Sequence, residues 1–571
     1  MATDLRDRFE KRRSALKQER RPFDDRAREI AEFGFPELGR FTTYDKKKAG
    51  TKQRQNIINN RLSRAALVLR AGMLAGITSP IRPWLRVTTV DTDLAKFQPV
   101  RTWLDAVSKR QLQQFGISNT YRALGSVYME NGLFGTNVLW QDEDEQDEFR
   151  FHNTTWGEFM LGANSRNQID TCYREYSMTV WALVDRFGLE NVSGPVKNMY
   201  DKGQTETLVD VVHVCEPHME DIEGVEFKLR KFPYRSVYYE RGAARGDKFL
   251  EAKGYKRKPF FGARWETVSN DTYAAWCPGV ISLGDNMELQ HHEFVKARAI
   301  DLMTQPPMLT PANMKKSPLN IGPGGRTTYN PQDGDAGVKP LFQMNFNVDH
   351  SKLSILELEE RIDQSFHVDL FRTVMDVRAR SVNTQITARE VDQLEKEGLI
   401  QLGPVLESHD DELLDPLVES TFQIQLENGD YPPPPREMVG QALRVEYLST
   451  IHQAQKLVGL QPFDRVTQFA SGIVQMTGDT AIFDLLDNDQ SIRDYADLAG
   501  YPPDLVRDEN AVYEIREQRA AQMQQMQAAQ AAASAASTAK DAASAGKSAS
   551  ETPVSGDNAL SRILEYSRGA A

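Results

Sequence analysis

Four carboxylates crowd one short stretch of the chain, Glu357, Glu359, Glu360 and Asp363. That density could hold divalent ions as the carboxylates of a metal-dependent nuclease do. The solvated face of a helix explains the same charges without a metal and is the simpler reading. His291-His292-Glu293 lacks the second histidine one turn on that an H-E-x-x-H zinc site needs. "GPGGR" at 322–326 has glycines but neither the G-x-x-x-x-G-K-[ST] pattern nor a helix after it, so a tight turn is expected. "DEDEQDE" at 142–148 reads as a solvated hairpin tip. Cys172, Cys215 and Cys277 are too dispersed for a zinc site or a disulfide scaffold and are expected to be buried, reduced thiols. No nucleophile elbow occurs. The residues argue for no enzyme, no cofactor and no metal.

The carboxylates belong to a periodic segment. Ile355, Leu358, Ile362, Phe366 and Leu370 recur at steps of three and four, which predicts a helix over about 351–373. Glu357, Glu360, Gln364 and His367 lie opposite that stripe by the 100° step. A second helix is predicted over 285–304, with Asp285 and Glu288 at capping-box spacing and a hard stop at Gln305-Pro306-Pro307. Between them, residues 305–345 carry Pro or Gly every few positions and read as a protruding loop-and-strand module.

Upstream, a charged helix is expected over 4–32, with Leu5, Phe9, Leu16 and Phe23 on one side. Another runs from Gln53 through Ile58, Leu62, Ala65, Leu69, Met73 and Ile77. In "GITSPIRPWLRV" (76–87), Pro80 and Pro83 force that helix to end and pass through an extended link. Trp84 then pins the link, and Leu85, Val87 and Thr89 alternate as a strand. Asp93 is placed to cap a helix bearing Val100, Trp103, Leu104 and Val107. The next helix runs from near Asn119 to a stop at Asn131-Gly132. Residues 133–280 are β-rich, with one helix ending at Gly188. Thr387 and Glu390 form a second capping box, and Gly403-Pro404 is expected to kink the helix that follows. After "YPPPP" (431–435) the chain reads as all-helical to about 519. The Ala/Gln/Ser tail from Ala520 is helical in its first half and a flexible link at "SASETPVSGDN".

The 571 residues carry a net charge of −12, which disfavours a protein that coats DNA with a basic surface. The N-terminal stretch has no apolar h-region, and "AALVLRAGMLAGI" is short and interrupted by Arg70. A cytosol-like compartment and no membrane span are therefore expected.

The order of these segments resembles the portal proteins, or head-to-tail connectors, of short-tailed, podovirus-type bacteriophages. The resemblance covers roughly residues 5–510. It rests on "AGMLAGITSPIRPWLRV", "ALGSVYMENGLFGTNVLW", "YRSVYYERG", "GARWETVSNDTYAAWCPG", "MTQPPMLTPAN", "TAREVDQLEKEGLIQLGPVLESHDDELLDPLVE" and "YPPPPREMVGQALRVEYLSTIHQAQK", in that order. Ala274 to Pro278 depart from the glycine-rich segment common in the family. The resemblance implies an α+β, mainly helical portal fold with wing, stem, clip and crown, assembled as a dodecameric ring around a central channel. The wing would be 1–280 with the kinked helix and linker 387–435. The stem would be 281–304 and 346–372, the clip 305–345, the tunnel loop 373–386, the crown 436–519, and 520–571 a barrel-like or disordered tail.

Implied channel residues are Glu357, Glu360, Gln364 and His367 on the stem and Arg372, Arg378, Arg380 and Asn383 at the tunnel loop. Arg378 and Arg380 could touch phosphates transiently or pair with a neighbouring subunit. Lys315, Lys316, Arg326 and Tyr329 would mark the clip surface met by terminase and then tail adaptors. Double-stranded DNA passing without sequence specificity, major capsid protein and scaffolding protein complete the implied partners. The site would be the virion's portal vertex, assembled in the host cytoplasm. A metal-dependent nuclease, or another head–tail adaptor, is the alternative.

Overall fold

A computed structural model describes residues 2–41, 56–91, 94, 97–144, 146–218, 232–242, 249–311, 320–329, 337–342, 348–371, 402–438, 440–448, 469, 472–473, 476 and 509–551. Two compact units divide the chain at Gly459 and Leu460.

The first unit opens with α1 (Ala2–Phe33), whose Leu5, Phe9 and Leu16 are buried. Then come α2 (Arg61–Gly76), β1 (Leu85–Thr89), α3 (Gln98–Ile117) and α4 (Thr120–Phe134). The β-rich part holds β2 (Thr136–Asp144), β3 (Glu148–Thr154), β4 (Phe159–Ala163) and β5 (Ile169–Thr179). After α5 (Val180–Phe187) and α6 (Gly194–Asp201) it continues with β6 (Leu208–Pro217), β7 (Tyr234–Glu240), β8 (Glu251–Tyr255) and β9 (Phe260–Arg264). Helix α7 (Leu283–Thr304) leads to three short strands, β10 (Met308–Pro311), β11 (Arg326–Tyr329) and β12 (Lys339–Pro340). Helices α8 (Val348–Ser365) and α9 (Gly403–His409), a π-helical turn at Asp410–Leu414, α10 (Asp415–Asn428) and β13 (Leu443–Tyr447) follow among the described residues. In the second unit the described chain is chiefly α11 (Glu509–Glu551), exposed wherever its side chains are described except at Val512 and Ile515.

The fold is mixed helix and sheet, as the composition of the segments predicts. Two antiparallel sheets, β3-β2-β9 and β4-β5-β6-β7-β8, form the β-rich part. The main core joins α2, α4 and the first sheet through Leu69, Leu133, Val138 and Trp140. Strands β10, β11 and β12 build a small sheet of order β11-β10-β12, with β10 and β11 parallel. Gly324 takes φ +65° in the turn before β11, as "GPGGR" predicts.

Several expected boundaries move. The stop at Asn131-Gly132 does not occur; α4 continues to Phe134 and ends at Gly135, φ +81°. Asn131 is instead buried, 2.7 Å from His409 Nε2, and a Cβ on Gly132 would come within 2.3 Å of Leu69. Close helix packing, not termination, explains the glycine. Ile58 lies outside α2 and is half exposed, because Gln290 Oε1 accepts from the N–H groups of Ile58 and Asn59 at 2.7 and 2.8 Å. No capping box forms at Asp285; α7 begins at Leu283, while Asp285 pairs with Arg361 and Glu288 lies 3.4 Å from His292. Asp93 lies outside the described residues, and α3 starts after Phe97 with Pro99 in its first turn. Pro404 sits in the first turn of α9, with a π-helical turn following at Asp410–Leu414; the residues before Leu402, on which the expected kink depends, lie outside the described residues.

The all-helical reading after "YPPPP" is also wrong. Leu443–Tyr447 form a strand paired antiparallel with β1, Leu85 opposite Tyr447. The alternation of Leu443, Val445 and Tyr447 supplies the pattern, and β1 supplies the partner. The proline joint is fixed at the same place. Trp84 is fully buried, stacked at 5.7 Å from Phe115 and 6.3 Å from Tyr447, and Leu448 N donates to its carbonyl at 2.8 Å. The Thr387–Glu390 box lies outside the described residues. The tail helix runs on to Glu551, into the stretch expected as a link.

Candidate functional site

Helices α7 and α8 pack side by side, flanking the small β10–β12 sheet. The predicted stripe holds: Ile355, Leu358, Ile362, Phe366 and Leu370 are all buried. Opposite them Glu357, Glu360 and Gln364 are exposed. This face is less acidic than its sequence suggests, since Arg361 shares it. Arg361 Nη2 donates to Glu357 Oε1 at 2.6 Å, and its Nη1 lies 3.5 Å from Asp285 on α7. Gln364 Nε2 donates to Glu360 Oε1 at 3.4 Å.

The 100° step sends the other two carboxylates to a different face. Arg61 Nε donates to Asp363 Oδ1 at 2.7 Å, and Nη2 bonds Oδ2. Arg61 Nη1 reaches Glu359 Oε2 at 3.4 Å, and Asn59 Nδ2 donates to Glu359 Oε1 at 2.8 Å. The Asp363 hydrogen bonds raise the guanidinium's already high pKa. Gln290 of α7 completes the junction by donating to the Asn59 carbonyl at 2.9 Å. Glu359 and Asp363 therefore fasten the two helices to the start of α2. Among the described residues no group of three or more His, Cys, Asp or Glu side chains could hold a metal ion. Arg61, Asn59 and Gln290 escaped the sequence reading because their partners are remote; Asn59-Asn60 ahead of an apolar stripe was the only local signal.

Helix α8 does not run unbroken to 373. His367 takes φ +53°, and helical geometry resumes at 368–371. Left-handed backbone at a non-glycine residue removes His367 from the spacing that placed it beside Gln364. It is half buried, and burial lowers its pKa. Phe371 then packs on α2, where a Cβ at Gly72 would come within 2.1 Å of its ring. Arg372, Arg378, Arg380 and Asn383 lie outside the described residues.

Both helices also leave apolar side chains in water. Phe294, Val295, Ile300 and Met303 of α7 and Leu353 and Leu356 of α8 are exposed, Leu353 by 67%. In the small sheet Arg326 is exposed at the start of β11. Tyr329 is half buried; its hydroxyl donates to the Gly337 carbonyl at 2.9 Å, and Lys339 Nζ stands 5.2 Å from its ring. Tyr329 thus braces that module. Lys315 and Lys316 lie outside the described residues. No helix among the described residues is long and apolar enough to cross a membrane.

Comparison with known proteins bears on the whole arrangement. The family model described as "Bacteriophage head to tail connecting protein" matches residues 6–506. The "Portal protein" of Salmonella phage epsilon15 is 35% identical over 522 residues, covering 91% of this chain and 92% of its own. The "Probable portal protein" of Bordetella phage BPP-1 is 37% identical over 508 residues, covering 89% and 90%.

Proposed function

The chain belongs to the bacteriophage head-to-tail connecting proteins, and we propose that it is the portal subunit of which twelve copies ring one capsid vertex. Double-stranded DNA would be packaged and later ejected through the central channel. The observation that carries this is the collinear match over about nine-tenths of the chain to two portal proteins.

In this reading α7 and α8 are the stem, and Glu357, Glu360 and Gln364 line the channel. A wall of that sign repels phosphates and prevents tight static binding, and the net charge of −12 recurs in every copy. Arg361 tempers that repulsion at one position in each copy. The exposed apolar side chains of α7 and α8 suit burial against adjacent copies, since contiguous apolar surface marks an interface. His367 belongs to the turn below the channel wall. Residues 373–386, with Arg372 beside them, form the tunnel loop, where Arg378, Arg380 and Asn383 meet DNA.

Residues 305–345 form the clip, which receives terminase and then tail adaptors through Lys315, Lys316, Arg326 and the strands braced by Tyr329. The wing, 1–280 and 387–435, faces capsid and scaffolding proteins; 436–519 is the crown and 520–571 its extension. The subunit assembles in the host cytoplasm and stays in the virion as a conduit, with packaging force supplied by the terminase.

The test pairs two measurements. Full-length rings carrying Arg378→Ala and Arg380→Ala should assemble normally yet package or retain DNA abnormally; normal packaging and retention would strip the loop of its role. DNA incubated with the protein and Mg²⁺ or Mn²⁺ should stay intact, whereas cleavage would favour the nuclease reading.

A further inference from the structure

Asparagine followed by glycine occurs twice in the chain, at Asn131-Gly132 and Asn428-Gly429. The structure puts the two pairs in opposite settings. Asn131 is fully buried inside α4 and bonded to His409, and Leu69 fills the space beside Gly132. Asn428 is the last residue of α10 and is exposed, and its side-chain amide makes no hydrogen bond among the described residues. Gly429 caps the helix with φ +78°, and a Cβ there would meet nothing within 4 Å. Its N–H is shared between the Gln425 and Leu426 carbonyls, the second at 3.2 Å. Asn164, before the small Ser165 in the β4–β5 hairpin, is held differently. Its Oδ1 accepts from the N–H groups of Arg166 and Gln168 at 2.9 and 3.0 Å.

We propose that Asn428 is a site of spontaneous deamidation. The Gly429 nitrogen, its proton taken by hydroxide, attacks Cγ of Asn428. The new C–N bond closes a five-membered imide, and ammonia leaves with a proton from water. A second water opens the imide at either carbonyl, leaving aspartate or isoaspartate. Glycine admits this attack most readily because no Cβ shields its nitrogen. The helix end opens at little cost in free energy, whereas the buried pair at 131–132 opens only with the core.

The product changes the turn in two ways. A new carboxylate stands beside Glu427 and Asp430 at the C-terminal end of a helix dipole, where negative charge is unfavourable. Isoaspartate also adds one carbon to the main chain, just before the turn in which Asp430 N donates to the Gln425 carbonyl at 3.0 Å. That turn seats Tyr431, whose ring stacks on Phe422 at 5.0 Å and whose hydroxyl donates to Gln425 Oε1. Next to it, Trp103 Nε1 donates to the Pro432 carbonyl at 2.8 Å. Isoaspartate at 428 therefore loosens the link that carries the chain from α10 to β13.

The full-length protein is incubated at mildly acidic and mildly alkaline pH, native and in denaturant, and peptide mass mapping reads the conversion of each asparagine. In the native protein Asn428 should convert at least about tenfold faster than Asn131 and Asn164, and faster in alkali. In denaturant Asn131 should catch up, because the two Asn-Gly pairs then differ little. Charge-separated isoaspartyl protein should melt below the unconverted fraction. Asn428→Asp, which adds the charge without the extra carbon, should melt above the isoaspartyl form. Asn428→Gln should abolish the fast phase and keep the fold. Native conversion at Asn428 no faster than at Asn131, a rate indifferent to alkali, or a gap between the two pairs that survives denaturation would overturn the proposal.

Discussion

Arg61 and Asp363, 302 positions apart, meet in a two-pronged ion pair, with Nε 2.7 Å from Oδ1. The pair ties the first turn of α2 to the last turns of α8. It also decides what the acidic stretch is for: two of its four carboxylates hold the structure together and two face solvent.

Replacing Arg61 should therefore be costly. Asp363 is 4% exposed, so Arg61→Leu takes a two-pronged cationic partner from a buried carboxylate. Arg61 itself is partly exposed, which reduces the loss to about 2–3 kcal/mol. Denaturant unfolding of the purified variant checks this, and an unchanged midpoint would contradict the latch.

Trp84 is the corresponding anchor of the proline joint. Its ring fills the space between Phe115 and Tyr447, and its Nε1 donates to Tyr121 Oη at 3.2 Å. Trp84→Ala should lower stability by about 3–5 kcal/mol. It should also loosen the β1–β13 pairing, seen as faster amide exchange at Arg86 and Glu446, the hydrogen-bonded pair next to Trp84 and Leu448. Wild-type exchange at both residues would remove the pinning role.

How much of this was legible in the sequence depended on how local the cause is. The α8 stripe at Ile355, Leu358 and Ile362 and the alternation at Leu85, Val87 and Thr89 are local periodicities, and the structure keeps both. The cap at Gly188 is equally local and forms with φ +82°. What failed was set by distant partners. Leu443–Tyr447 became a strand because β1 needed an edge partner, and Asn131-Gly132 stayed helical because Leu69 and His409 pack there. The split of Glu357 and Glu360 from Glu359 and Asp363 follows from the helical step, but only Arg61 gives the inner pair its meaning. His367 was misplaced because nothing local announces a left-handed residue in an apolar-striped helix.

Glu130 makes stability pH-dependent. It is buried on α4, where Asn153 Nδ2 donates to its Oε1 at 2.9 Å and Thr155 and the Trp156 backbone also reach the carboxyl. Burial pushes its pKa up to about 8. The unfolded chain releases this proton near pH 4.5 while the folded chain keeps it. Stability is thus lost as pH rises from about 4.5 to 8, by up to about 1.4 kcal/mol per pH unit. Glu130→Gln should flatten that decline and exceed wild type at pH 8. Parallel pH profiles of the two proteins would refute the assignment.

The three thiols should be silent in the native protein. Cys172, Cys215 and Cys277 are free and buried, and burial raises each thiol pKa, that of Cys277 to about 12. Thiolate is the reactive form, so maleimide should add to none of them until the chain unfolds. Intact mass after labelling reads the result; rapid labelling without denaturant would show that the core opens.

The central claim is a ring around a channel, and averaged negative-stain images of the purified full-length protein test it most directly. The account predicts closed rings of twelve subunits with a central hole. A monodisperse monomer under every condition of salt and concentration would contradict it.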